Sequence, residues 1–80
     1  MKVAVIKSLT ESHPLETLQA EMAKLENGES LTIVVGGDDE GEQLTHLLAA
    51  IWICEQMQLN GTDLKTELRN FSSRVRESIS

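Results

Sequence analysis

The residues best suited to chemistry crowd into the stretch GGDDEGE, positions 36–42, and the histidine four places beyond it. Asp38, Asp39, Glu40 and Glu42 bring four carboxylates within five positions, and Glu42 and His46 share a face if the chain is helical there. With Asp38 and Asp39 they offer a mixed oxygen and nitrogen set for a divalent ion. The spacing is neither that of an EF-hand nor that of the HExxH zinc pattern. A Gly-Gly turn ahead of a helix also presents backbone N–H groups to anions, but these acids repel phosphate and the P-loop lysine is missing. A second reading fits the same residues: a solvated helix start whose acids complement the dipole, with Asp39 and Glu42 spaced as a capping box. Asp38, Asp39, Glu42 and His46 are therefore the candidate metal ligands, set against that simpler reading.

The other reactive side chains point away from catalysis. Cys54 lies in an apolar run between Ile53 and Glu55, which supply neither a base nor the electropositive surroundings a nucleophile needs. It reads as a small core residue. Trp52 reads as a packing or interface anchor. Arg69, Arg74 and Arg76 suit a solvated helix face beside Glu67 and Glu77. Nothing fixes a Ser-His-Asp arrangement around His13 or His46. No catalytic residue and no cofactor is assigned.

These residues hang on one central element, Gly41 to Leu59. Its middle, Leu47 to Cys54, is eight consecutive apolar residues. A helix apolar on nearly all sides must be covered on nearly all sides. Before it, Lys2 to Ile6 (KVAVI) and Leu31 to Val35 (LTIVV) are short, β-branched runs that read as strands. Between them, Leu15, Leu18, Met22 and Leu25 form a helical stripe that opens after Pro14 and closes at Asn27-Gly28. Asn60-Gly61 ends the central helix, and Thr62 or Asp63 caps a last one with Leu64, Leu68, Phe71, Val75 and Ile79 on one face. The short turn between the two makes an antiparallel hairpin. The expected fold is a small α/β domain, β-α-β-α-α, dominated by that hairpin; the alternative is a mostly helical domain.

The 80 residues make one domain, and a chain of this size buries only about 60% of its unfolded surface. Net charge is −6, made of −7 over residues 1–60 and +1 over residues 61–80. The acidic balance argues against direct nucleic-acid binding and against anionic membranes. One cysteine excludes an internal disulfide and fits a reducing compartment. The apolar run falls short of the roughly 20 residues that span a bilayer, and no signal-peptide core follows Met1. A cytoplasmic protein is expected.

Two resemblances add to this. Met1-Lys2, Ile6-Lys7 and Leu9, then Leu25-Glu26-Asn27, Ala50-Ile51, Met57, Gly61-Thr62, Leu68, Phe71, Arg74-Val75 and Ser78-Ile79 resemble a family of small, uncharacterised bacterial proteins. The likeness covers most of the chain and departs at Thr32 to Gly37, where that family reads as more helical. It implies no activity. Residues 1–53 also look like the sulfur-carrier family of the tRNA-thiolation relay, in which Cys-Pro opens the first helix and Gly-Glu precedes the second strand. Here His13-Pro14 and Gly28-Glu29 stand in those places. The persulfide-carrying Cys is absent, so the likeness implies a βαβ plan without the chemistry.

One chain supplies little to cover the central helix, and Trp52 with its i±4 neighbours Leu48 and Gln56 would face outward. The functional expectation is a non-enzymatic homodimeric interaction protein with Leu48, Trp52 and Gln56 at its interface. The alternatives are a small metal-binding protein or enzyme using the 38–42 turn with His46, and an acidic decoy of a nucleic-acid-binding protein.

Overall fold

A computed structural model describes the backbone of residues 2–79 and the side chains of residues 2–74. The described residues form four helices and no strand: α1 (Val3–Ser12), α2 (Leu15–Glu26), α3 (Glu40–Asn60) and α4 (Leu64–Ile79). The fold is all-α, and the α/β expectation is overturned along with the βαβ plan shared with the sulfur carriers.

Both strand readings fail for identifiable reasons. In the first, burial follows a helical step: Ile6 and Leu9 are buried while Val3 is half exposed, and Lys7 and Glu11 pair across one turn at 3.9 Å. Packing against α3 decides the conformation over the β-preference of Val3 and Val5. In the second, residues 31–35 run as irregular chain between α2 and α3. The backbone donors that a neighbouring strand would accept go to a side chain: Glu21 Oε1 takes the Thr32 N–H at 2.6 Å and the Ile33 N–H at 2.9 Å.

The central helix is where the apolar run places it. α3 packs on each of the other three helices, and α1 also touches α4. Leu47, Ala50 and Ile53 are fully buried in a core with Ile6, Leu9, Leu18 and Met22. The helix ends are those the spacing predicts. Asp39 Oδ1 accepts the Glu42 N–H at 2.8 Å, and Asp63 Oδ1 accepts the Thr66 N–H at 2.8 Å. Gly61 closes α3 in the left-handed region at φ 65°, which glycine enters without a Cβ penalty. Phe71 packs on the central helix, its ring 5.9 Å from that of Trp52. Val75 and Ile79 lie beyond the described side chains.

Candidate functional site

The GGDDEGE turn is built as a helix start. Asp39 caps α3, Asp38 and Glu40 are exposed, and Glu42 is half-buried. His46 is fully buried one turn on. Its Nε2 accepts the Lys2 N–H at 2.9 Å, so Nδ1 carries the proton and donates to the Gly36 carbonyl at 2.7 Å. Both ring nitrogens are thus engaged by backbone, one at the entry to α1 and one at the end of the α2–α3 connection. Among the described residues, no three His, Cys, Asp or Glu side chains gather as a metal-binding group. The connection also passes close to α1 at Gly36, where a Cβ would lie 2.8 Å from Val5 Cγ2.

Two buried carboxylates hold the connections between helices, and neither is among the sequence candidates. Glu21 is 2% exposed. Besides the two N–H groups of the α2–α3 connection, it takes the Thr32 hydroxyl at 2.8 Å and the Lys24 ammonium at 2.8 Å. Lys24, followed by the backbone and hydroxyl donors, outweighs desolvation and lowers its pKa to about 2. Glu67 is 1% exposed at the α3–α4 turn. It accepts from the Thr62 hydroxyl and from the Asn60 and Asn70 amides. Thr62 foremost, then the two amides, lowers its pKa against the cost of desolvation.

The surface feature with room for a partner lies between α3 and α4. Leu48, Ile51, Trp52 and Phe71 wall an apolar groove of about 450 Å³, with Thr45 and Glu55 at its rim. Leu48 is 55% exposed inside it. Trp52 and Phe71 are half-buried, and the Arg74 guanidinium lies 5.3 Å from the Trp52 ring centre, in cation–π range. Of the predicted interface residues, the structure brings Leu48 and Trp52 together. Gln56 lines a neighbouring depression with Leu15 and Leu59. Sequence spacing alone misses Phe71 as a wall of this groove, although its place on the amphipathic face of α4 marks it as a contact with α3.

No described helix is long and apolar enough to cross a membrane. No curated protein and no solved structure matches the chain. The helical arrangement and its closing turns, down to Gly61-Thr62 and Phe71, belong to a sequence that a family model matches over residues 1–80: the chain is a member of DUF6952, a family of unknown function.

Proposed function

We propose that the chain acts as a non-enzymatic homodimeric interaction protein whose two copies meet over the α3–α4 groove. The observation that carries this is Leu48, a large apolar side chain left more than half exposed in a groove walled by Ile51, Trp52 and Phe71. Apolar concavities of this kind on an acidic surface fit a contact face.

Charge supports a second copy as the occupant. Asp38, Asp39 and Glu40 at the start of α3 have no ion pair among the described residues, and neither do Lys65 and Arg69 on α4. α4 doubles back from the end of α3. A twofold that crosses the two α3 helices antiparallel therefore sets the start of the partner's α4 beside the acidic start of this α3. The contact is then isologous, and in it Lys65 and Arg69 outnumber the exposed Asp63 opposite the acids of α3. His46 and Glu67, both buried, are engaged in holding the chain.

Sedimentation equilibrium over the micromolar range tests the reading. The wild-type chain should be dimeric and weaken with added salt. Leu48→Glu should be monomeric and keep the helical circular dichroism of the wild type, because its side chain is largely exposed in the single chain. A wild-type monomer at every concentration overturns the proposal.

A further inference from the structure

A second cleft, away from the groove, is lined by three side chains with soft donor atoms. It lies where the α1–α2 corner meets the last turns of α3, has a volume of about 290 Å³, and is lined by His13, Cys54 and Met57 among others. The corner places the imidazole: the residue before a proline is held out of the helical region, and His13 sits at φ −136° and ψ 141° directly ahead of Pro14. α3 places the sulfurs, since Cys54 and Met57 are three residues apart and share a helical face. Cys54 is 8% exposed, and His13 and Met57 are half-buried. None of the three side chains has a hydrogen bond or ion pair among the described residues.

A thiol, a thioether and an imidazole, each unpartnered and all opening on one cleft, form a donor set for a soft monovalent ion. Thiolate and thioether ligands select Cu(I), which accepts low coordination numbers, over the hard divalent ions that prefer oxygen. We propose that this cleft binds one Cu(I) per chain through Cys54 Sγ, Met57 Sδ and a His13 ring nitrogen. The ion arrives as a complex with a small thiol. One Cu–S bond to that thiolate breaks, one to Cys54 forms, and the Cys54 proton leaves on the departing thiol, with no change in oxidation state.

The test is anaerobic competition for Cu(I) between the full chain and a coloured phenanthroline-type chelator, with native mass spectrometry for stoichiometry and thermal melting for the state that binds. One ion per chain and a raised melting temperature are expected. Cys54→Ser should abolish binding. Met57→Leu and His13→Gln should each weaken it by at least the roughly tenfold that losing even an outer-shell partner costs. Both variants are conservative at half-buried positions, and their unliganded melting temperatures check that they fold. Wild-type affinity in both would show a lone thiol binding metal and overturn the proposal. So would a melting temperature lowered by Cu(I), which would mean that the unfolded chain is the better ligand.

Discussion

The two connections on either side of α3 are held by the same device in two forms. The α2–α3 connection runs from Asn27 to Asp39 and the α3–α4 turn from Gly61 to Asp63. In each, a buried glutamate takes a threonine hydroxyl from the connection: Glu21 takes Thr32, and Glu67 takes Thr62. The remaining partners differ. Glu21 also takes two backbone N–H groups and a lysine, whereas Glu67 takes two side-chain amides and, among the described residues, no cation. A long irregular connection packed on a core carries backbone donors that no helix satisfies, and these must find acceptors. A three-residue turn closed by a glycine and an aspartate cap has few such donors. The carboxylate is structural in the first case through the main chain, and in the second only through side chains that can turn to water.

Removing each carboxylate should expose this difference. Glu21→Ala leaves the Thr32 and Ile33 N–H groups, the Thr32 hydroxyl and Lys24 without their acceptor. It should cost about 3 kcal/mol, read from chemical denaturation, since each buried donor left unpaired carries a desolvation penalty of ~1–3 kcal/mol that relaxation only partly relieves. The same contact sets a pH dependence. The folded-state pKa of Glu21 lies below its ordinary value, at about 2 against 4.5. Its contribution is therefore fully present above about pH 4.5 and is lost as pH falls toward about 2. Across that window the melting temperature of Glu21→Gln should fall less than that of the wild type. Parallel acid profiles would show that the carboxylate is not charged where it lies.

Gly36→Ala tests the far end of the long connection. The new Cβ would sit 2.8 Å from Val5 Cγ2, an overpacking that should cost about 1–2 kcal/mol. Val5→Ala in the same chain should recover part of the loss. Additive losses in the double variant would mean that the two residues do not meet. The smallest effect should come from Glu67→Ala. The amides of Asn60 and Asn70 belong to exposed residues that can be hydrated in place. Its melting temperature should drop by less than that of Glu21→Ala, and an equal or larger drop would erase the distinction between the two connections.

The helices that carry α3's cover were legible where apolar spacing and caps agreed. The stripe at Leu15, Leu18, Met22 and Leu25, the Asp39 and Asp63 caps and the Gly61 stop all stand as read. KVAVI and LTIVV were not legible, because a short β-branched run looks alike whether it will pair, coil or pack as a helix. What decides between these is tertiary: α3 beside α1, and Glu21 beside the second run. The two carboxylates did leave a trace. Glu21 lies between Leu18 and Met22, and Glu67 between Leu64 and Leu68, each at the i+3 position of an apolar stripe that continues to i+7. A charge at that position is turned toward the core and must find partners there. The groove was half legible: Leu48 and Trp52 follow from their spacing, whereas Phe71 and the separation of Gln56 depend on how α4 crosses α3.

The clasp on residues 32 and 33 also bears on polymerisation. Leu31 to Val35 is an uncharged run without proline, rich in β-branched side chains, the composition that stacks into cross-β fibrils. Val34 already stands 93% exposed on it. By occupying two of its N–H groups, Glu21 keeps the run from templating a strand of another molecule, and so acts as a gatekeeper placed outside the segment it guards. Acid that protonates this one carboxylate should release a fibril-competent segment from an otherwise helical protein. Thioflavin fluorescence during incubation near pH 2 should therefore rise, and at neutral pH it should rise sooner in Glu21→Ala than in the wild type.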